Sequence, residues 1–569
     1  MRPHVSRVTF LLVLIFLCGF FLLFRAYILQ IVDGNLYAEQ ASSQYKSSGS
    51  SVFNRGTIYF SKKDGDTVTA AAQQSGFLLA INPQLLLDAQ SAYDALSTIV
   101  PDIDRDTFLA KASKKNDPYE DIAKRLSEEQ GERVMDLKIP GVMITREKWR
   151  FYPGAKMASN ALGIVAYRGD ELAGRYGLER YYEDTLHRGT APTYTNFFAD
   201  IFLNIKHSLS QGVHMEGDVV TTIEPSVQAF LERTIEQVNT RWSSDYTGGI
   251  IINPKTGEII AMALYPSFDP NNFQGERDSA IFSNPLVENV YEMGSIIKPL
   301  TVAAGLDAGK ITPDTTYDDK GFVMVDGKKI SNYDGKGRGV IPMQEVLNQS
   351  LNTGAAFIAS KLGKDLFSRY MFDFGLGEKT GIDLPNEAAP LVENLRSPRD
   401  VEHATASFGQ GIAISPVVTV RALSALANGG VLITPHIVKE IDYTSGIPKK
   451  MSYPAGRRVL KEETSLTISR MLVKTVDTSL IEGRIKVPHY SIAAKTGTAQ
   501  IAKTEGGGYY DDRFLHSFFG YFPAYDPKFL VFLFTYYPKG IRFSSETLPM
   551  PFMDIAEYLI NYYEIPPDR

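Results

Sequence analysis

From Val8 to Phe24 the chain carries no charged side chain, reading Val-Thr-Phe-Leu-Leu-Val-Leu-Ile-Phe-Leu-Cys-Gly-Phe-Phe-Leu-Leu-Phe. Arg25 interrupts the run, and Ala26 to Val32 is mostly apolar again. A helix needs about 20 apolar residues to cross a bilayer, and this stretch is long enough. Arg25 lies near one end, where its side chain can snorkel to the headgroups. Arg2 and Arg7 precede the run, so the positive-inside rule keeps the short N-terminus in the cytoplasm. The expectation is a cytoplasmic tail over residues 1–7, a single transmembrane anchor over 8–28, and the rest of the chain on the extracytoplasmic side. A cleaved signal peptide is the rival reading. Its apolar core usually spans only about 7–15 residues, and a small-x-small cleavage site should follow, which this sequence lacks.

The body after the anchor has ordinary globular composition. Of the 569 residues, 44% are hydrophobic and 22% charged, which excludes wholesale disorder. Lys and Arg number 59 against 65 Asp and Glu, a net charge of −6, and no dense basic patch is visible. That balance argues against nucleic acid as a partner. Cys18 is the single cysteine, so an intrachain disulfide and a cysteine-built zinc site are both excluded. There is no HExxH, no G-x-S-x-G elbow and no Walker-type phosphate loop.

Residues 29–215 read as a mixed, irregular region. Helical spacing runs over Gln84 to Val100 and Pro118 to Leu137, with extended stretches at Gly141 to Thr145 and Trp149 to Tyr152. Phe197, Phe198, Ile201, Phe202 and Ile205 form an apolar stripe at helical spacing, read as core-facing. From about residue 216 the pattern changes. Val219 to Ile223 reads as a strand and Ser226 to Trp242 as an amphipathic helix. Gly248 to Asn253 and Glu258 to Tyr265 read as a hairpin turning at Pro254-Lys255-Thr256-Gly257. A helix-rich middle follows, then strands near Tyr490 to Thr498, His516 to Phe522 and Phe529 to Tyr536, and a last helix near Phe552 to Tyr563. Strands at both ends with helices between predict an α+β domain, residues 216–569, whose one sheet is built from both ends and flanked by helices.

Three motifs carry the chemistry. In Tyr291-Glu292-Met293-Gly294-Ser295-Ile296-Ile297-Lys298-Pro299, Gly294 permits a sharp turn into a helix. Ser295 is expected at that helix N-terminus, where free N–H groups favour developing negative charge. Lys298 lies three residues on, hence on the same face. A lysine serves as general base only when burial or a second cation lowers its pKa. A chain this long yields roughly two Ser-x-x-Lys matches by chance on average composition. A second one, Ser43-Gln44-Tyr45-Lys46, sits in a polar stretch just beyond the anchor and reads as surface. The second motif, Ser350-Leu351-Asn352, interrupts a helical pattern running from Pro342 to Ser360; a turn or N-cap is the plain structural explanation. The third is Lys-Thr-Gly, which occurs three times. Lys255-Thr256-Gly257 lies in a hairpin turn and Lys379-Thr380-Gly381 at a helix exit. Only Lys495-Thr496-Gly497-Thr498 continues an apolar strand, with the Thr496 and Thr498 hydroxyls on one side. Gly497 is expected to leave the backbone open to a substrate lying alongside as an added strand.

Ser-x-x-Lys, Ser-x-Asn and Lys-Thr-Gly-Thr in that order resemble the penicillin-binding proteins and serine β-lactamases. Asn253 to Ile259, Phe408-Gly409-Gln410-Gly411-Ile412, Ala427 to Gly430 and Ser517 to Pro523 are similar to transpeptidase-domain blocks. Upstream, Arg55-Gly56-Thr57-Ile58, Arg150-Phe151-Tyr152-Pro153-Gly154 and Gly174-Arg175-Tyr176-Gly177-Leu178-Glu179 resemble the pedestal of class B members, the monofunctional division and elongation transpeptidases. Two departures stand out: Phe60-Ser61 replaces the usual Asp-Arg, and Met293 replaces the usual proline before Gly-Ser.

The resemblance implies a penicillin-binding transpeptidase fold behind a pedestal or dimerisation-type domain. It implies a substrate ending in D-Ala-D-Ala on a peptidoglycan stem peptide, with β-lactams as inhibitors. Ser295 would be the nucleophile, Lys298 its base, and Ser350 a proton relay. Asn352 would bond the Lys298 side chain or the substrate amide. Lys495 would hold a second positive charge, and with Thr496 and Thr498 would bind the terminal carboxylate. No metal and no other cofactor is needed. No region reads as a glycan polymerase, which points to a separate multi-pass membrane polymerase as partner. The family resemblance places the body outside the bacterial cytoplasmic membrane, held by the single-pass anchor. A carboxypeptidase or endopeptidase would use the same residues with water as acceptor. A β-lactamase or β-lactam sensor would need a placed deacylation base that is not identified here, and a degenerate membrane scaffold would need none of the intact motifs.

Overall fold

The computed structural model describes residues 16–17, 19–21, 54–169, 171–188, 216–444, 446, 448–483, 486–503 and 505–569. Ser43, Lys46, the Phe197–Ile205 stripe and all of the 8–28 span except five residues lie outside them. Among those five, Phe16, Leu17, Phe20 and Phe21 are helical and exposed. Among the described residues, no helix is long and apolar enough to cross a membrane.

The chain forms two compact units; among the described residues the smaller includes 74–149, and the larger holds 55–73, 150–188 and 216 onward. In the smaller unit the later residues of the strand Thr67–Ile81 pair with Glu120–Leu126. Phe77, Leu79, Leu96, Phe108, Leu126 and Val134 close its core. The helix expected over Pro118 to Leu137 is instead this strand followed by a helix, Glu128–Asp136. Ser127 is the reason: its hydroxyl accepts from Gln130 N–H while the Gln130 side chain accepts from Ser127 N–H, a capping box that starts the helix there. The helix expected from Gln84 starts at Ala89, capped by Asp88. The two extended stretches merge into one strand, Val142–Phe151.

The larger unit is built around a five-stranded antiparallel sheet. In chain order its main elements are helix α1 (Pro225–Trp242), strands β1 (Tyr246–Ile252) and β2 (Ile259–Tyr265), and helices α2 (Lys298–Asp307), α3 (Asn352–Leu362), α4 (Pro416–Ala427) and α5 (Glu462–Thr478). Strands β3 (Ala493–Ala502), β4 (Tyr509–Phe522) and β5 (Phe529–Tyr536) and helix α6 (Pro549–Tyr562) follow. The strand order is β3-β4-β5-β1-β2, so the sheet does join both ends of the domain, and β3 is an edge. Strand alternation divides the core in two. Ile251, Val531 and Leu533 pack with Leu231 of α1 and Phe552 and Leu559 of α6. Ile250, Ile252, Phe532 and Phe534 face the other way, with Val417 and Leu423 of α4 and Leu300 of α2. Both faces of the sheet are therefore covered by helices.

A buried ion cluster knits the upstream segments of this unit. Glu179 accepts from Arg55 Nε at 2.5 Å, from Arg150 Nε at 2.6 Å and from the Tyr152 hydroxyl at 3.2 Å. Arg150 Nη1 donates to Gly56 O at 2.6 Å, and Arg55 Nη2 to Glu183 at 2.7 Å. Burial alone would raise the Glu179 pKa, but the two guanidiniums outweigh it and hold the carboxyl below its ordinary value. Phe60 is 2% exposed in this core, and Ser61 Oγ donates to Thr221 O at 2.6 Å, so Phe60-Ser61 is absorbed by packing and one local bond.

Candidate active site

Ser295 sits in a single 3-10 turn, Gly294–Ile297, and α2 begins only at Lys298. The expected helix N-terminus is thus a tighter turn. In 3-10 geometry residues i and i+3 eclipse, which brings the two side chains together. Lys298 Nζ lies 2.9 Å from Ser295 Oγ. Gly294 has φ +65°, and a Cβ there would meet Thr498 O at 2.7 Å, so only glycine lets the turn close on β3. Met293 is 1% exposed, and its carbonyl accepts from Ser517 Oγ of β4 at 2.9 Å. The residue that replaces proline is thereby pinned to the sheet.

Ser350 breaks the helical pattern as the sequence suggested, between a short helix, Gln344–Asn348, and α3. The physical reason is its left-handed backbone, φ +55°, which costs an L-residue roughly 1–2 kcal/mol. That conformation is matched by two bonds: Lys298 Nζ donates to Ser350 O at 2.5 Å and contacts Ser350 Oγ at 3.1 Å. Lys495, on edge strand β3, reaches the same hydroxyl at 3.0 Å and donates to Thr496 O at 2.9 Å. Thr496 and Thr498 are half-buried and line the cleft, on the same side of the strand.

Three residues behave differently from the sequence reading. Asn352 lines the cleft, but its amide donates to Ser331 O at 3.0 Å and it makes no bond to Lys298. Gly497 does not face the cleft: a Cβ there would meet Ser517 Oγ at 2.2 Å and Met293 O at 2.8 Å, so the residue is small because the Ser295 turn packs on it. Lys495 is expected to hold a second positive charge; it is 2% exposed and burial pushes its amine down to about 7, so only part of it carries that charge at neutral pH. Lys298 is fully buried; desolvation, then the charge of Lys495, hold its amine well below the ordinary lysine value. A neutral amine 2.9 Å from a serine hydroxyl is in reach to take its proton.

The other two Lys-Thr-Gly segments are structural. Lys255 forms an exposed ion pair with Asp526. Thr380 and Gly381 donate their N–H groups to Glu387 at 2.5 and 3.0 Å, closing a loop.

Ser295, Ser350, Asn352, Lys495, Thr496 and Thr498 line one cleft of about 620 Å³, which Tyr333, Phe408, Gln410, Arg542 and Phe543 also line, and Lys298 reaches Ser295 from the buried side. None of these five was singled out from the sequence as a site residue, because no local pattern ties a lone aromatic or arginine to a serine tens of residues away. Gly409 has φ +80° and a Cβ there would meet Gly294 O at 2.2 Å, which explains why the block Phe408 to Ile412 is glycine-rich. Glu292 was quoted only as part of the first motif; it accepts from Gly411 N–H at 3.1 Å and from the Tyr509 hydroxyl at 3.0 Å, bracing the Ser295 turn.

A family model described as the penicillin binding protein transpeptidase domain matches residues 247–548, and one described as the penicillin-binding protein dimerisation domain matches 51–194. The chain belongs to the class B penicillin-binding proteins. This penicillin-binding protein is 34% identical over 441 residues to stage V sporulation protein D of Bacillus subtilis, covering 75% of its own length and 66% of that relative. It is 25% identical over 537 residues to the probable peptidoglycan D,D-transpeptidase PenA of Neisseria meningitidis, covering 93% and 88%. Among solved structures it resembles penicillin-binding protein 2X of Streptococcus thermophilus, with TM-score 0.73 and 20% identity over 90% of this chain and 80% of that one. It also resembles penicillin-binding protein 3 of Mycobacterium tuberculosis complexed with aztreonam, with TM-score 0.69 and 22% identity over 91% and 98%. At these identities the structural likeness speaks for the fold, which is the α+β penicillin-binding transpeptidase fold with a pedestal dimerisation domain.

Proposed function

We propose that this chain is a serine D-Ala-D-Ala transpeptidase that cross-links peptidoglycan stem peptides and is acylated by β-lactams. The observation that carries the reading is the buried Lys298 amine, held low by desolvation, 2.9 Å from Ser295 Oγ. Neutral Lys298 takes the Ser295 proton as Oγ adds to the carbonyl carbon of the penultimate D-alanine. The backbone N–H groups of Ser295 and Thr498 receive the oxyanion, each worth about 3–4 kcal/mol in a comparable hydrolase. Ser350, bonded to both amines, passes the proton to the leaving nitrogen; the C–N bond breaks and D-alanine departs. An amine of a second stem peptide then attacks the acyl-enzyme, its proton returns to Ser295 through the same groups, and the cross-link is made. Thr496, Thr498 and the protonated fraction of Lys495 bind the terminal carboxylate. Asn352, tied to Ser331, contributes its amide oxygen to the substrate side of the cleft. In a β-lactam the same attack opens the ring, and the tethered nitrogen cannot leave.

The relatives named peptidoglycan D,D-transpeptidase support this reading. The membrane assignment rests on the uncharged run at Val8–Phe24 and the exposed helical Phe16, Leu17, Phe20 and Phe21. Residues 8–28 anchor the protein in the cytoplasmic membrane, 29–215 form the pedestal region and 216–569 the catalytic region, outside the membrane. A multi-pass glycan polymerase supplies the strands to be cross-linked.

Labelling of the purified protein with fluorescent penicillin tests the chemistry. Wild type is labelled and Ser295→Ala is not; labelling that survives Ser295→Ala overturns the assignment. D-alanine release should yield a cross-linked product when an amine acceptor is added; hydrolysis alone would favour a carboxypeptidase. A reporter active only in the cytoplasm, fused after Arg569, should stay silent; a bright fusion overturns the topology.

A further inference from the structure

His516 lies within strand β4 and is 0% exposed. Its neighbours on the same face of the strand, Phe514 and Phe518, are buried and apolar, so both ring nitrogens need partners to offset their desolvation. Burial lowers the ring's pKa to about 4, so at neutral pH it has one donor and one acceptor nitrogen. Nε2 lies 3.0 Å from Arg542 O, which can only accept, so Nε2 carries the proton. Nδ1 is then the acceptor, 3.0 Å from the Thr547 hydroxyl. These two partners bracket one turn of the loop between β5 and α6. One buried ring therefore ties down residues 542 and 547 together.

Between them lies Ser544. Its N–H donates to Thr498 Oγ1 at 3.0 Å and its hydroxyl to Ser517 O at 2.8 Å. Thr498 and His516 are directly opposed in the β3–β4 ladder, so their side chains leave the sheet on one face, the face this turn covers. A threonine hydroxyl has two lone pairs and one proton. The Ser544 N–H occupies a lone pair, and among the described residues the Thr498 hydroxyl proton has no protein acceptor. The half-buried hydroxyl therefore meets the cleft as a donor. An aliphatic side chain at 516 would fill the same apolar surroundings and hold neither end of the turn.

We propose that His516 is a positioning residue for the terminal carboxylate of the acyl donor: it fixes the turn 542–547 so that Ser544 N–H holds the Thr498 hydroxyl with its proton toward the substrate. An ionised carboxylate only accepts, so a hydroxyl held in this sense binds it better than one free to rotate. His516 touches no reacting atom and acts through Thr498. The inference rests on the acyl-transfer reading above.

The test compares benzylpenicillin with its methyl ester by second-order acylation rate of the full chain. The ester keeps the reacting ring and loses the charged acceptor. His516→Leu should lower the acid-to-ester rate ratio by about three- to tenfold, part of one charge-assisted hydrogen bond, with the ester rate within about twofold of wild type. Thr547→Val, which removes one of the ring's two partners, should lower the ratio in the same way, and it decides the question if His516→Leu does not fold. In a Thr498→Val background, His516→Leu should lower the ratio no further, because residues acting through one contact are not additive. A ratio unchanged in both single variants, an equal loss of both rates, or a further fall in the Thr498→Val background overturns the proposal. Failure of wild type to be acylated by benzylpenicillin would instead strike at the acyl-transfer reading itself.

Discussion

Lys298 and Lys495 converge on one hydroxyl, their side-chain nitrogens 3.1 and 3.0 Å from Ser350 Oγ. The two nitrogens are therefore at most about 6 Å apart, and two full charges at that distance would repel by about 3 kcal/mol at an effective dielectric near 20. Both are buried, and among the described residues neither is paired with a carboxylate. The arrangement favours loss of a proton from the pair, which leaves a basic amine facing Ser295.

Lys495→Ala should slow acylation by about 10- to 100-fold, the loss of one charge-assisted bond to the substrate carboxylate. It should also move the acidic limb of the pH–rate profile to higher pH, because the charge that helps depress the Lys298 pKa is gone. The limb moves only part of the way to an ordinary lysine value, since desolvation is the larger cause at Lys298. Lys255→Ala and Lys379→Ala should change stability by no more than about 0.5 kcal/mol and leave acylation intact. Lys379 is an exposed side chain whose carbonyl is the group in use. Stopped-flow acylation of the three variants decides this; a Lys379 defect as deep as that of Lys495 would reassign the motif.

Lys495→Met should stabilise the fold at neutral pH while abolishing activity. In the unfolded chain the amine titrates near 10.5, and burial brings it to about 7 in the folded protein. Between those values the unfolded chain binds more protons, so this residue makes stability rise with pH. Its burial cost is fully present below about pH 7 and fades as pH approaches 10.5. The gain from Lys495→Met should be about 1–3 kcal/mol at pH 6–7, the range for burying a polar group without full compensation, and should shrink toward zero above pH 10. Melting temperatures of both proteins across that range provide the check; a gain that grows with pH would contradict the buried-amine account.

Gly497→Ala should damage the site from behind. The added methyl would lie 2.2 Å from Ser517 Oγ and 2.9 Å from Ile296 Cγ2, so β3 and the Ser295 turn must separate. Overpacking of this kind costs about 1–3 kcal/mol, and acylation should fall by at least about tenfold through displacement of Ser295. Penicillin acylation rates at a temperature where the variant is folded measure the effect; a wild-type rate would show that the turn tolerates the shift.

Glu179→Gln should destabilise the protein by about 3–5 kcal/mol, because it leaves Arg55 and Arg150 buried with one charge between them removed. Acylation of the folded fraction should be unchanged, since the cluster touches none of the site residues. Thermal unfolding combined with labelling stoichiometry at low temperature separates the two effects.

The order and spacing of the motifs were legible without any structure. A Ser and a Lys three apart meet in any helical turn, and an apolar run ending in Lys-Thr-Gly-Thr alternates its threonines to one side of a strand. The sheet built from both ends was legible too, because short continuous apolar runs bounded by turn residues mark strands buried on both faces. Where a local signal competed, the periodicity misled. Apolar spacing over Pro118 to Leu137 suited a helix, but pairing with the strand Thr67–Ile81 and the Ser127 cap divided it.

By itself the sequence determined the candidate site residues and the local elements that carry them, which depend on neighbours a few residues away. Only the tertiary structure decided what depends on distant groups. It lowered the two lysine pKa values, because desolvation is a property of the closed core and not of the strand or turn that carries the residue. It turned Gly497 toward the serine turn and Asn352 toward Ser331. It set Tyr333 against Phe543, residues 210 positions apart, in one cleft.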